Sequence, residues 1–188
     1  MFALHPEPLS PRRHIVCLDL VRSEMRLDGL DHPDIERRVE VCRRLLKHAR
    51  WRGWEITHVH PRSASRAARP VDGLEPLPTE RLVYRTGVSA FSNRAFRQAI
   101  KAQADCELII AGFSLSSSCL ATALTAHDWG LAVVLASDAL LGDASKPCAA
   151  GEAERSLRSA VAPFVRIAAV DELIDVRRGL RLVAGDLA

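Results

Sequence analysis

Short apolar runs alternate with amphipathic stretches along the chain. Residues 14–21, HIVCLDLV, form an apolar run broken by one aspartate, which is typical of a buried strand that ends in a polar residue. From 33 to about 51, apolar side chains recur at helical spacing opposite a charged face, which predicts a helix. Strands are predicted at 54–60 and 82–85. The segment between them, 61–81, is rich in Pro, Arg and Ser without periodicity, so we predict a long loop.

The same alternation continues towards the C-terminus. The predicted elements are a helix over 89–103, a strand over 106–113, a helix over 115–130, a strand over 131–140, a helix near 150–161, a strand near 164–169 and a helical piece over 171–178. Strands that alternate with helices specify a parallel sheet covered on both faces, since each crossover carries a helix back over the sheet. We therefore predict an α/β fold with about six parallel strands.

Length and composition narrow the class of protein. A chain of 188 residues with 48% hydrophobic residues is long enough for one domain with a substantial core, which we expect to span residues 1–188. The net charge is +3, but the basic residues are interspersed with acidic ones, so we expect no nucleic-acid partner. No apolar run reaches membrane-spanning length, and the first residues, MFALHPEPLSPRRH, lack the apolar core of a signal peptide. We expect a cytoplasmic protein without a membrane partner.

The cysteines are odd in number and contain no C-x-x-C pair. They lie at positions 17, 42, 106, 119 and 148. This pattern argues against a disulfide framework and against a zinc knuckle, and it favours reduced, buried side chains. Cys119 differs from the others because it follows a predicted strand at the start of a helix, where an activated thiol would be placed. It is therefore a candidate nucleophile.

Polar residues follow three of the predicted strands. Asp19, Arg85 and the stretch Ser114–Cys119 each lie where a strand ends. Ligands of parallel sheets bind beyond the carboxyl ends of the strands. We expect these residues to converge on one cleft.

Four segments in chain order resemble the motifs of the isochorismatase-like hydrolases, a superfamily of nicotinamidases, N-carbamoyl amidohydrolases and isochorismatases. They are LDLV around Asp19, RTGVSAF beginning at Arg85, AGFSLSSSCLATA, and SDA at 137–139. The resemblance extends over about residues 13–175. It implies a three-layer α/β/α fold, a small-molecule substrate without a cofactor, and a homodimer or higher homo-oligomer, to whose interface exposed Trp or Phe side chains could contribute.

The family spacing distinguishes two neighbouring residues. In the resembling proteins, the nucleophilic cysteine lies six positions after the first glycine of its motif, four before the threonine and twelve before the glycine that ends the helix. Counting these three distances from Gly112, Thr122 and Gly130 gives Ser118 each time. Cys119 becomes the nucleophile only with an insertion before it and a deletion after it. Adjacent helical side chains diverge by about 100°, so the two residues point to different places.

The resemblance assigns roles to these positions. Asp19 matches the acid/base, and Arg85 matches a lysine that orients the aspartate. The backbone N–H groups of Ser114 and Ser118 match an oxyanion hole, next to a cis peptide bond at Phe113–Ser114. Each side chain also has a structural interpretation: Asp19 as a helix or loop cap, Arg85 in a surface salt bridge, and Ser118 in a serine-rich helix N-cap.

The chain departs from the pattern in two further places. Val21 replaces a family glutamine that usually lies near the substrate. His58 and His60 are on one face of a predicted strand, but the metal motif of nicotinamidases is D-x-H, and two histidines are too few ligands for stable zinc. We expect no metal, and His60 is more consistent with support of the turn at Pro61.

Three functions remain open on the sequence. The first is a hydrolase that cleaves a vinyl ether or C–N bond of a small anionic molecule without a thiol. Asp19 would be its general acid, and Arg85 would hold a substrate carboxylate. Ser118 would donate a hydrogen bond or leave room for the substrate. The second is a catalytically degraded member that binds a small molecule or partner. The third is thiol hydrolysis by Cys119. Further anion-binding candidates are the arginines at 62, 66, 69 and 81.

Overall fold

Six parallel strands form one sheet in the order β3-β2-β1-β4-β5-β6. The computed structural model describes residues 12–25, 32–62, 69–103, 105–141 and 150–174, and every structural statement below concerns them. The strands are β1 Arg12–Leu18, β2 Glu55–Pro61, β3 Arg81–Arg85, β4 Cys106–Gly112, β5 Ala132–Leu140 and β6 Arg166–Ala168. The helices are α1 His32–Arg52, α2 Arg94–Lys101, α3 Leu120–Asp128, α4 Ala150–Val161 and α5 Val170–Ile174. The predicted α/β class with a six-stranded parallel sheet is confirmed.

Helices cover both faces of the sheet, and each face has its own apolar core. Residues of α1 and α5 pack on one face, and residues of α2, α3 and α4 pack on the other. Side chains of a strand alternate between faces, so in β1 Ile15 and Cys17 contribute to the first core whereas Val16 and Leu18 contribute to the second. Burial on both faces explains why β1, β4 and β5 are apolar runs rather than alternating patterns.

The first strand ends earlier than its apolar run, which continues to Val21. Asp19 adopts a left-handed backbone conformation with φ of 55°, and a strand cannot continue through that conformation. Its N–H still donates to the Val59 carbonyl at 2.9 Å, and its own carbonyl accepts from the Val21 N–H at 2.7 Å. The chain therefore turns sharply directly after the last sheet hydrogen bond, and Val21 is buried in a bridge to Pro70.

Close contact between β1 and β4 requires a glycine. Gly112 has φ of 152°, and a Cβ atom there would lie 2.0 Å from the Leu18 carbonyl oxygen. Because Gly112 has no side chain, the N–H of the next residue, Phe113, can donate to that oxygen at 3.0 Å. The glycine thus lets the turn after β4 lie against the end of β1.

Two predicted helices are divided in the structure. The helix predicted over 89–103 is a 3₁₀ turn, Ala90–Ser92, followed by α2, because Asn93 caps a new helix by accepting from the Phe96 N–H. The helix predicted over 115–130 begins with a π-helical turn, Leu115–Cys119, before α3.

The C-terminal helix and the long loop fall partly outside the described residues. The helix is described as Val170–Ile174, and the rest of the predicted 171–178 lies beyond. Of the predicted loop, residues 63–68, including Arg66, also lie outside. In the part of the chain that is described, no helix is long and apolar enough to cross a bilayer.

Candidate active site

Three side chains from three separate elements meet at the carboxyl end of the sheet. Asp19 follows β1, Arg85 ends β3, and Ser118 lies in the π-helical turn after β4. Arg85 Nε is 3.1 Å from Asp19 Oδ1, and its NH2 is 2.9 Å from Oδ2. Ser118 Oγ donates to Asp19 Oδ2 at 2.6 Å. The structure brings together the three residues that the sequence placed at one cleft.

The carboxylate at the centre is removed from solvent. Asp19 and Ser118 are both 0% exposed, whereas the Arg85 side chain is 18% exposed. A buried carboxylate is strongly unfavourable unless it is paired and hydrogen-bonded, and the forked guanidinium meets both oxygens. Arg85 has few N–H groups left for a ligand, because a third one, on NH1, donates to the Gly87 carbonyl at 3.0 Å. Three of its five donors are then used within the protein.

The segment after Arg85 is held in place by the side chains of Ser92 and Thr122, and the sequence predicted neither contact. Ser92 Oγ accepts from the N–H groups of Thr86 and Gly87, at 3.1 and 2.9 Å. Thr122 Oγ1, on α3, accepts from the Ala90 N–H at 2.9 Å. The threonine used to count towards Ser118 therefore connects α3 to the turn that carries Arg85. A serine and a threonine near two motifs were the only sequence signal for this contact.

Ser118 and Cys119 point in different directions. The Cys119 thiol donates to the Phe113 carbonyl at 3.3 Å and lies in the apolar core, 0% exposed. Burial raises the pKa of this thiol well above its ordinary value, and the nearby Asp19 carboxylate raises it further. A thiol held neutral in this way is a poor nucleophile. The side chain that faces Asp19 is Ser118.

The turn after β4 differs from the expectation in one peptide bond. The Phe113–Ser114 bond is trans, so the predicted cis bond is wrong. Ser114 has a left-handed backbone with φ of 66° and ψ of 53°, and its carbonyl accepts from the N–H groups of Ser117 and Cys119. An oxyanion hole formed by the N–H groups of Ser114 and Ser118 stays a prediction.

The two histidines of β2 lie beside the site. His58 Nε2 is 3.0 Å from Glu80 Oε2, in a carboxylate that also bonds Arg50. His60 is 4% exposed and packs between the rings of His58 and Tyr84. The pKa of His60 is lowered to about 4, mainly by burial and also by the neighbouring His58, while Asp19 opposes both effects. Within the described ranges, no group of three or more His, Cys, Asp or Glu side chains is arranged to hold a metal ion.

Asp138, the cysteines and Arg69 occupy structural positions. Asp138, in the SDA motif, accepts from the Val170 N–H at 2.8 Å and so caps α5. The four cysteines that are described are free and buried, at positions 17, 42, 106 and 119. Among the loop arginines, Arg69 contributes its carbonyl to the Arg22 N–H.

Comparison with known proteins identifies solved structures of similar fold. None of the curated proteins matches the chain. An isochorismatase from Pseudomonas putida KT2440 superposes with a TM-score of 0.76 at 22% identity, over 88% of this chain and 93% of that one. A putative isochorismatase from Burkholderia xenovorans LB400 gives 0.79 at 20%, over 90% and 88%. N-carbamoylsarcosine amidase from Thermoplasma acidophilum gives 0.70 at 14%, over 85% and 97%.

These similarities in structure establish the shared fold. The comparison with protein families goes further, because the isochorismatase domain model matches residues 14–171, which include the site and all but the first residues of the sheet. The chain belongs to the isochorismatase family.

Proposed function

We propose that the protein is a hydrolase of a small, anionic molecule that cleaves a vinyl ether or a C–N bond without a thiol nucleophile. The observation that carries this proposal is the 2.6 Å hydrogen bond from Ser118 Oγ to Asp19 Oδ2. It gives the buried carboxylate a hydroxyl neighbour at the position where thiol hydrolases of this superfamily carry their cysteine. The nearest cysteine points into the core.

Asp19 carries the proton in this proposal. In vinyl ether hydrolysis, Asp19 in its protonated form transfers the proton to the alkene, and water attacks the resulting oxocarbenium carbon and returns a proton to the Asp19 carboxylate, so no covalent intermediate on the protein is needed. Ser118 then holds the substrate or the water by a hydrogen bond. This reaction makes the fewest demands on the residues present, because neither a thiolate nor a histidine base is required.

Cleavage of a C–N bond assigns Ser118 a different role. Its Oγ would attack the carbonyl carbon while Asp19 accepts the hydroxyl proton and passes it to the departing amine; water then hydrolyses the ester. The hydrogen bond has the length expected between a nucleophile and its base. A carboxylate is, however, a weaker base for serine than histidine, so we expect this route to be slow. Because the fold is similar to that of an N-carbamoylsarcosine amidase, compounds with C–N bonds are included in the substrate screen.

Arg85 acts through Asp19 in both routes. Its Nε and NH2 are bonded to the carboxylate and its NH1 to Gly87. We therefore assign it first to the position and charge of Asp19. Holding a substrate carboxylate falls to its two remaining N–H donors, at the partly exposed end of the side chain.

A screen of vinyl ethers, amides and carbamoyl compounds tests the proposal, with Asp19→Asn as the control. Turnover that Asp19→Asn abolishes supports it, and equal turnover by the mutant refutes the assignment. Ser118→Ala separates the routes: it keeps turnover if water attacks and loses it if Ser118 attacks.

The second candidate is a degraded member that binds a small molecule or a partner. This candidate is favoured by Arg85, which replaces the family lysine and bonds Asp19 through the Nε and NH2 groups on one edge of its guanidinium. Thermal-shift hits without turnover, and no gain of activity in Ser118→Cys combined with Arg85→Lys, would establish it.

We also propose a cytoplasmic homodimer or larger homo-oligomer. Large apolar side chains on the surface support an interface; among them Trp51 is 74% exposed and Phe164 is 47% exposed. Light scattering on the purified protein tests this, and a monomer at micromolar concentration would contradict it.

A further inference from the structure

His60 has a ring nitrogen without a hydrogen-bond partner in the protein interior. Its Nε2 is buried and unpartnered, and the imidazole as a whole is 4% exposed. Buried polar atoms are almost always satisfied, so each exception needs an explanation such as a ligand or a water that completes it. His60 therefore holds an open hydrogen-bonding position in the structure.

The open nitrogen belongs to a residue at the edge of the candidate site. Leu18 of β1 pairs with Val59 of β2, and the Asp19 N–H donates to the Val59 carbonyl. Asp19 and His60, which come next in the two chain segments, are therefore neighbours. On the other side, His60 pairs with Tyr84, one position before Arg85. His60 thus lies on the strand between the two that supply the carboxylate and the guanidinium. The influence of Asp19 on the pKa of His60 agrees with that proximity.

The other polar groups of the site are already bonded to one another. Arg85 and Ser118 both direct hydrogen bonds to Asp19. A substrate that enters finds two unused N–H donors on Arg85, and His60 offers a further group that is not used within the protein. At this nitrogen a neutral, buried imidazole offers one donor or one acceptor without charge, which suits a carbonyl oxygen or an amide N–H.

We propose that His60 is a substrate-binding residue whose Nε2 forms a hydrogen bond with an uncharged polar group, a carbonyl or an amide, of the substrate. This inference rests on the proposed hydrolase function and adds the class of group that is recognised. The substrate then combines an anionic part with an uncharged polar group directed at β2.

A second buried histidine provides a matched control. Both ring nitrogens of His14 are bonded, to Gln103 Oε1 at 2.9 Å and to Thr57 Oγ1 at 2.8 Å. Phenylalanine has nearly the shape of histidine but no ring nitrogen. His14→Phe leaves two polar groups without their partner, whereas His60→Phe removes an atom that had none, and replacement of an unsatisfied polar group by an apolar one is neutral or stabilising.

Thermal unfolding of the two variants separates a binding role from a structural one. We expect a lower Tm for His14→Phe and an unchanged or higher Tm for His60→Phe, together with loss of ligand binding in the latter. His60→Gln, which keeps a polar group on a flexible side chain, guards against misfit of the phenylalanine ring. Equal loss of Tm in the His14 and His60 variants would overturn the proposal.

Ligand binding is measured by NMR on protein with ¹⁵N-labelled histidine. Propionamide and N-carbamoylglycine are always used as probes, and any substrate found in the screen is added to them. We expect a shift of the His60 Nε2 resonance with the His14 resonances unchanged, and a KM raised about tenfold in His60→Phe with a smaller change in kcat. No shift with any probe, or an unchanged KM, overturns the proposal. Failure of the hydrolase function shows itself separately, as turnover that Asp19→Asn does not reduce.

Discussion

Ser118 Oγ lies 2.6 Å from Asp19 Oδ2, although the two residues are 99 positions apart in the chain. The contact depends on Gly112, which allows the turn after β4 to lie against the end of β1. It joins the reactive position of the turn to a carboxylate that is already paired with Arg85. The predictions below follow from this connected group and from the packing that supports it.

Loss of the guanidinium should destabilise the fold. Arg85→Ala leaves the Asp19 carboxylate buried without its charge partner, and we expect the free energy of unfolding to fall by about 3 kcal/mol. Arg85→Lys, which keeps the charge but loses the fork, should cost less. Urea denaturation measures both. The control is Arg166→Ala, which breaks a pair with Glu107 in which the arginine is 47% exposed, and should cost at most about 1 kcal/mol. Equal losses in the two alanine variants would contradict the account.

The thiol of Cys119 should be unreactive in the native protein. Burial raises its pKa, so little thiolate is present near neutral pH. We expect iodoacetamide to label this residue only after denaturation, as read by peptide mass spectrometry. Cys119→Ala should keep any turnover that the wild type shows. Rapid native labelling of Cys119, with loss of activity, would restore the thiol mechanism.

Stability should decrease as the pH falls from about 6.5 towards 4. Burial lowers the pKa of His60 to about 4 from 6.5, and it also lowers the pKa values of His14 and His58. In that window the unfolded chain binds protons that the folded protein does not, so unfolding is favoured by up to about 1.4 kcal/mol per pH unit for each histidine. His60→Phe should flatten this dependence in denaturation curves recorded across the window. A slope identical to that of the wild type would mean that His60 titrates normally.

An added methyl group at Gly112 should disrupt the site through the backbone. The Cβ atom would meet the Leu18 carbonyl at 2.0 Å, so Gly112→Ala must shift β1 or β4, and we expect a loss of about 3 kcal/mol or more. Gly53→Ala is the matched control, since Gly53 also has a positive φ, of 65°, but nothing lies within 4 Å of its Cβ position. It should lose only about 1 kcal/mol. Similar losses for the two variants would show that the contact with Leu18 is not tight.

Much of the fold followed from the pattern of the sequence, and the rest depended on local contacts. Apolar runs predicted β1, β4 and β5, because parallel strands buried on both faces are continuously apolar, whereas β2 and β3 were predicted from shorter segments that mix apolar and polar residues. The boundaries that failed were set by single side chains or backbone conformations. Asn93 begins a new helix by capping it, and Asp19 ends β1 through a left-handed conformation. Neither is visible in hydrophobic periodicity.

The site shows the same division. The motif spacing of the resembling family, counted from Gly112, Thr122 and Gly130, singled out Ser118, and the structure directs that side chain at Asp19. The bond from the Ala90 N–H to Thr122 was not predicted, because it depends on packing between distant segments. The open nitrogen of His60 was also beyond the sequence, since only a structure shows which buried atoms lack partners.

The central claim is that Asp19 carries the proton in a reaction that needs no thiol. Its most direct test is kcat/KM for the best substrate of the screen, measured for wild type, Asp19→Asn and Cys119→Ala. Asparagine preserves shape but cannot transfer the proton, so the account predicts a loss of at least about 100-fold in Asp19→Asn and wild-type turnover in Cys119→Ala. Undiminished turnover in Asp19→Asn, or its abolition in a folded Cys119→Ala, would contradict it.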